Sequence, residues 1–345
     1  TNGGNLKLTV AKWLSPNGNW INDVGVIPDT DISDPTDEEK QQILTPFIAQ
    51  RIKTFSHDAR DLMQLTRLGS LEDGTPIELN KRLTEYDHVI IIGGINFHYF
   101  AGFTGGRKLI CPGLASSRTI AATHKLAFDF ETKDRRAGVK VGKLDGNPVH
   151  KAFMAAAEKS PPSFAINTIV SGDGEVTDLF CGDWRSSHES GCDSFSKSNS
   201  ISIYEKREVV IVSCGGFPND LNMIQAHKAL EMASKACADQ GTIIFLAECA
   251  NGLGRDGFIN WFDEEDSEQL AESLSKKYQV NGQTAWSLLK KAEAFNIKII
   301  TCLSTEVTKK LHMEKLLAEN LSSEVFNQPG YIIPFGAKFK IEKDG

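Results

Sequence analysis

The sequence predicts an α/β protein of two doubly wound domains with a cleft between them, and three observations carry that prediction. Short continuous apolar runs recur at 89–92, 164–170, 208–213, 242–246 and 296–302, as expected of strands buried on both faces of a parallel sheet. Stretches of helical character separate them, the alternation that parallel sheets require. Glycine loops follow several of the runs, at the strand ends where such folds put their functional groups. Composition sets outer bounds. With 345 residues, 40% hydrophobic and 24% charged, the chain is long enough for two cores. A formal net charge of -7 argues against a nucleic-acid partner. Seven scattered cysteines, an odd number with no C-x-x-C pair, argue against a disulfide framework and for a reducing, cytoplasmic setting. No apolar run approaches the roughly 20 residues of a membrane span.

Taken in order, residues 1–34 stand apart. They hold a β-rich run at 6–13, a Pro16-Asn17-Gly18 turn and an extended piece ending at Pro28-Asp29. This stretch resembles the piece that follows the catalytic lysine in C-terminal processing (tail-specific) proteases, without that family's serine-lysine pair. It is expected to be an appended β fragment or a fusion junction. From Pro35 a different pattern begins. Thr36 can cap a short helix whose first turn is acidic, as the helix dipole favours. In residues 55–61, His57 is expected to be structural rather than catalytic. Asp73-Gly74 turns the chain into an edge strand at 77–80, and 83–87 leads to the central strand at 89–94.

The loop after that strand is the most informative part of the chain. Residues 98–124 read HYFAGFTGGRKLICPGLASSRTIAATH. Gly102, Gly105 and Gly106 permit positive φ and close approach to a ligand, and free amides in such a turn form an anion-binding nest. A Gly-Gly-Arg-Lys alone reads more simply as a tight turn with solvated cations. Here, however, Arg107 stands beside Lys108, where a second cation depresses an amine's pKa toward the nucleophilic form. His98 and His124 flank it.

This segment resembles the signature of the nickel-dependent lactate racemase family, and the resemblance runs from about Pro35 to the C-terminus. It implies a racemase or epimerase of 2-hydroxy acids that uses a nickel-pincer nucleotide made by dedicated cofactor-synthesis enzymes. By the same resemblance Lys108 carries the cofactor through a thioamide bond within the Gly105-Gly106-Arg107 turn, His124 completes the nickel's coordination, and His98 is a general acid/base. The donor chemistry agrees, because nickel(II) favours square-planar sites with sulfur and imidazole ligands. A histidine is also the side chain poised to handle a hydroxyl proton near neutral pH.

Beyond His124, Gly146-Asn147-Pro148 opens a helix at 149–158 that Pro161-Pro162 ends, and His150 is expected to pack or cap. A strand at 164–170 is turned back by 171–174. His188 and Cys192 are four apart on a helix beginning near Trp184, a metal-ligand spacing read here as a core face. The serine-rich 194–202 marks the boundary between a domain at 35–200 and one at 201–345. In the second domain 208–213 feeds Cys214-Gly215-Gly216, and a helix follows at 221–238. The family resemblance implies that Gln225 and Lys228 line the active-site cleft; three apart, they share a helix face. Two positions depart from lactate-specific members, with Ile224 for a tyrosine and Gln283 for a tryptophan. The last residues are expected to return to the first domain.

The largest departure lies upstream. The family's Asp-x-Thr-Arg-Pro segment has no counterpart, and its second catalytic histidine, in Gly-x-His-Arg-Pro, aligns with Ser33. Serine cannot act as the partner base, so turnover is expected to be impaired. The alternative is a non-catalytic, cofactor-carrying α/β protein.

Overall fold

Four strands form the first sheet of a computed structural model that describes residues 8–10, 53–171, 174–321 and 329–343. They are β1 (Leu8–Val10), β2 (Ile90–Gly94), β3 (Phe164–Val170) and β4 (Val176–Gly182), in that order across the sheet. The first three run parallel and β4 returns antiparallel. The chain folds into two compact units, the first of Thr1–Ala127 and Ala137–Phe195, the second of Phe128–Arg136 and Ser196–Gly345. The turn at 16–18, Ser33 and the helix expected from Thr36 fall outside the described residues. Of the amino-terminal segment, Leu8–Val10 is described, as the edge strand beside β2.

Around this sheet the first unit places α1 (Ser117–Lys125), α2 (Pro148–Ala157) and α3 (Ser186–Asn199). Each of the first two begins where its sequence offers an acceptor to an orphan amide: Ser116 takes the Thr119 N–H, and Asn147 takes those of Val149 and His150. The expected edge strand is Pro76–Asn80, paired antiparallel with Leu65–Ser70 across the Asp73-Gly74 turn. Ile77, Leu79, Ile91, Phe100, Ile110 and Phe153 are fully buried in the core. His57 lies 3.0 Å from both Ala115 O and Asn80 Nδ2, the structural role expected of it.

The second unit carries β5 (Arg207–Ser213), β6 (Cys237–Leu246), β7 (Asn296–Ile300), β8 (Glu314–Lys315) and β9 (Gly330–Ile333), with α4 (Met223–Ala236), α5 (Ser267–Lys276), α6 (Val280–Ala294) and α7 (Thr305–Lys310). All five strands are parallel, in the order β8-β7-β6-β5-β9. The chain thus winds outward from β5 and then returns to its other side, the reversal that defines a doubly wound sheet. The division between the units falls between Phe195 and Ser196, inside the serine-rich 194–202, although the backbone there is regular: α3 runs through it to Asn199, and Ser200–Ile203 forms a strand. Lys340–Lys343 pairs with that strand, so the chain's end lies in the second unit rather than returning to the first.

One excursion crosses the boundary. The hairpin Phe128–Asp129 with Asp134–Arg135 belongs to the second unit. Phe128 is fully buried there, edge-on to Trp286 at 4.8 Å. Arg135 grips Glu231 through both guanidinium nitrogens, at 2.5 and 2.7 Å, and Lys291 pairs with the same carboxylate. Burial alone would raise the Glu231 carboxyl, but these two charges outweigh it and hold it well below the usual range. Among the described residues no helix is long and apolar enough to cross a membrane, and all seven cysteines are free thiols.

Candidate functional site

Polar side chains, rather than regular structure, fold the loop that leaves β2. The Thr104 hydroxyl donates to Gly94 O (2.8 Å) and accepts the Asn96 N–H (2.8 Å), which ties the loop back to the end of its strand. Between these points Phe97–His98 pairs with Gly102–Phe103 as a two-residue hairpin. Gly105 (φ 76) and Gly106 (φ 51) then turn the chain into a single 3-10 turn, Gly106–Leu109. Gly106 is required there. A Cβ at this position would lie 2.5 Å from the His188 ring, on a backbone that side chains rarely adopt. The expected nest of free amides is only partly present, because the Gly106 N–H donates to Asn167 Oδ1 (3.1 Å) and the Lys108 N–H to Gly105 O (3.1 Å).

Arg107 is completely buried. Its Nη2 donates to Ala101 O at 2.7 Å. His188 Nε2 lies 2.8 Å from Thr104 O and 3.0 Å from Arg107 Nη1. A carbonyl can only accept, so Nε2 carries the hydrogen and the grip on Arg107 comes from Ala101 O. Burial first, and then the Arg107 charge, holds His188 neutral, well below the ordinary histidine range. The His188-Cys192 pair, read from spacing as a core face, is indeed buried, directly beneath the site turn.

Lys108 is 8% exposed, and its charge reaches His124 on α1. His124 is fully buried, with Nδ1 donating to Ile120 O at 2.8 Å. Burial, then the Lys108 charge, lowers its pKa to about 3, so the ring is neutral and its lone pair is at Nε2. That Nε2 has no hydrogen-bond partner. A buried acceptor without a partner is costly unless something else occupies it, and a neutral imidazole oriented through its other nitrogen is how proteins present a metal ligand. Among the described residues no three His, Cys, Asp or Glu side chains group to hold a metal.

His98 is buried too, and its Nδ1 accepts the amides of Ala101 (3.1 Å) and Phe100 (3.4 Å). These contacts leave the hydrogen of the neutral ring on Nε2. The Phe100 ring stands edge-on to both His98 (4.4 Å) and His124 (5.1 Å), so one aromatic side chain spaces the two histidines. Asn147 fixes that spacer by donating to Phe100 O at 2.9 Å. The fold thus brings His98, Arg107, Lys108 and His124 together in the first unit. Gln225 and Lys228 lie on α4 in the second, both half-buried, with Lys228 Nζ donating to Gln225 Oε1 at 2.8 Å. Ile224 and Gln283 are buried, and Gln283 accepts from the Tyr278 hydroxyl at 2.7 Å. Asn167, which no motif marked, is fully buried in β3 and holds the site turn.

Fold and site together define a two-unit α/β protein in which a lysine buried in a glycine turn lies near a neutral imidazole on α1 whose Nε2 has no hydrogen-bond partner. The lactate racemase N-terminal domain family matches residues 9–136, and the lactate racemase C-terminal domain family matches residues 204–325. The chain belongs to the lactate racemase family. The first match begins within the segment set apart above by its resemblance to a protease fragment. A lactate racemase of Thermoanaerobacterium thermosaccharolyticum is 36% identical over 213 residues, 62% of this chain and 49% of that one. One from Lactiplantibacillus plantarum is 34% identical over 217 residues, 63% and 50% of the two chains. The match thus spans about half the length of these relatives. The structure of the T. thermosaccharolyticum lactate racemase apoprotein superposes with a TM-score of 0.82 at 28% identity, covering 90% of this chain and 76% of that one. A Thermotoga maritima protein with a TM-score of 0.69 at 19% identity shares the fold.

Proposed function

We propose that this chain holds a nickel-pincer nucleotide on Lys108, with His124 as the protein ligand to nickel, and that it serves the racemisation or epimerisation of a small 2-hydroxy acid in the cytoplasm. The observation that carries the reading is His124 Nε2, a buried lone pair on a neutral ring with no hydrogen-bond partner. The bound group would supply hydride acceptance and return at C2 of the substrate. The chain's own residues do the rest. Arg107, anchored on Ala101 O, keeps the turn closed behind Lys108. By the family resemblance, Gln225 and Lys228 would orient the acid. His98, with Nδ1 engaged by two amides, offers a hydrogen at Nε2 to the substrate's C2 oxygen; accepting a proton there would require those amides to let go. The partners implied are the 2-hydroxy acid and the enzymes that make the nucleotide.

The test is to purify the chain from cells that make the cofactor. Lys108 should carry the adduct by peptide mass and nickel should co-purify. His124→Ala should lose the metal. His98→Ala should keep it and lose roughly 10² to 10⁴ in substrate hydrogen exchange. An unmodified Lys108, or equal nickel in the wild type and His124→Ala, overturns the assignment.

A second reading, the same loaded site with little turnover, is favoured by Ser33 standing where the family's second catalytic histidine is expected. Grafting a family segment that ends in His-Arg-Pro onto Thr36 should restore activity on a panel of 2-hydroxy acids. Equal activity with and without the graft removes this reading.

A further inference from the structure

We infer that Asn167 is a positioning residue for Lys108, and that this carboxamide, far from the site loop in sequence, sets how readily the lysine is loaded. The inference rests on the reading of Lys108 as the attachment point. Asn167 is a fully buried polar side chain in the middle of a strand, FAINTIV, whose only other polar residue, Thr168, is not fully buried. Both of its functions are committed. Oδ1 accepts the Gly106 N–H at 3.1 Å, and Nδ2 donates to Ser187 Oγ on α3 at 3.1 Å. In the sheet register Asn167 lies opposite Gly93 of β2. The space that a Cβ on Gly93 would take is filled by Leu109, whose Cδ1 would be 2.8 Å away. The 3-10 turn is therefore fixed to the sheet at Gly106 by a hydrogen bond to β3 and at Leu109 by packing onto β2. Arg107 and Lys108 are bracketed between these two points.

Removing the carboxamide frees the first anchor. The Gly106 amide, which carries no side chain to hold it otherwise, can then rotate, and Lys108 follows two residues on. A purely structural asparagine would lower stability without selecting Lys108. Asn80 provides that contrast. It is also buried in the first unit, with its amide 3.0 Å from His57 Nδ1 and its Oδ1 accepting the Arg82 N–H at 3.1 Å, and it touches no site residue.

The full chain is made with and without the cofactor-synthesis enzymes, as wild type, Asn167→Ala, Asn167→Asp and Asn80→Ala. Loading is read as the fraction of Lys108 carrying the adduct. In the cofactor-free chain, the rate of trace acylation of Lys108 by acetic anhydride is read against the other lysines. Asn167→Ala should load roughly tenfold less or worse, since misplacing a reacting group by about an ångström costs on the order of 10² in rate, while Asn167→Asp, which keeps the acceptor, should stay within about threefold of wild type. In the cofactor-free chain Asn167→Ala should acylate Lys108 faster as the turn opens. Asn80→Ala should lose thermal stability but load and acylate as wild type does. The inference is overturned if Asn167→Ala loads and acylates like wild type, if Asp is no better than Ala, or if Asn80→Ala loads as poorly. If Asn167→Ala does not fold, Asn167→Ser, whose hydroxyl is too short to reach the Gly106 amide, takes its place. A wild-type chain that takes up no cofactor refutes the reading of Lys108 instead, and the acylation rates still decide the role of Asn167.

Discussion

The two units write the same local grammar, an apolar strand followed by a glycine pair and then a helix, and give it different surroundings. In the first, Gly105 and Gly106 (φ 76 and 51) are closed over Asn167 and His188, and every side chain from Phe97 to Cys111 is buried. In the second, Gly215 and Gly216 (φ 87 and 76) stand over Phe335; a Cβ on Gly216 would meet nothing within 4 Å, and Phe217 is 68% exposed. A glycine pair at a strand end therefore specifies a backbone path. What lies beneath it decides whether the path becomes a dry site or a wet loop.

The sharpest way to break this comparison is an alanine in each pair. Gly106→Ala forces a Cβ onto the His188 ring and strains a positive φ, so it should cost about 3 kcal/mol, overpacking and the left-handed backbone each contributing about 1–2. Gly216→Ala carries only the backbone term, about 1 kcal/mol. Urea unfolding of both variants measures the difference, and equal losses would mean that the two surroundings are energetically alike.

Acid should separate the units next. In the first, burial is the leading cause that lowers His57, His124, His150 and His188, to about 3 for His124 and His150; in the second it lowers His227 to about 3. Each folded pKa lies below the unfolded value of about 6.5, so the unfolded chain binds more protons as pH falls. The stability that depends on these neutral rings is complete above about pH 6.5 and is lost as pH drops toward the folded values. Glu231 has a depressed carboxyl, so its contribution is present above the unfolded value of about 4.3 and is lost only as pH falls toward its own lower pKa. Hydrogen exchange of the metal-free chain between pH 7.5 and 5, corrected for intrinsic rates, should show protection lost from β2, β3 and α1 before β5 and β6. The reverse order contradicts it.

The smallest effect on stability should come from Lys228→Met, which removes a half-buried bond to Gln225 and should change unfolding free energy by no more than about 0.5 kcal/mol. If the pair orients substrate, KM rises with nickel content unchanged. A stability loss with KM unaltered would make it an ordinary helix-surface bond.

The apolar strands, the helix opened by Asn147-Pro148 and the site loop were readable from sequence because each is signalled locally, by an unbroken apolar run, an Asn-Pro before a helix, or a glycine that must take positive φ. Asn167 was not, since its partner lies 61 positions away and one carboxamide in FAINTIV carries no period of its own; the usable signal was a polar residue at a core position of a buried strand. His188 was placed on a core face, but spacing could not say that the core there is the underside of Gly106. Helix α7 and strand β9, of six and four residues, are too short to carry a period, helix α5 went unread, and the partner of the terminal strand depends on a pairing some 140 residues apart.

The hairpin of Phe128 and Arg135 makes the two units inseparable as modules. A gene divided between residues 195 and 196 would give a second half without the phenyl ring that covers Trp286 and without the guanidinium that neutralises Glu231, leaving a buried carboxylate short of a partner. The first half would carry that ring with nothing to cover it. Exchange of C-terminal halves between relatives should therefore succeed only when residues 128–136 travel with them, so that a workable exchange follows the contacts and not the order of the chain.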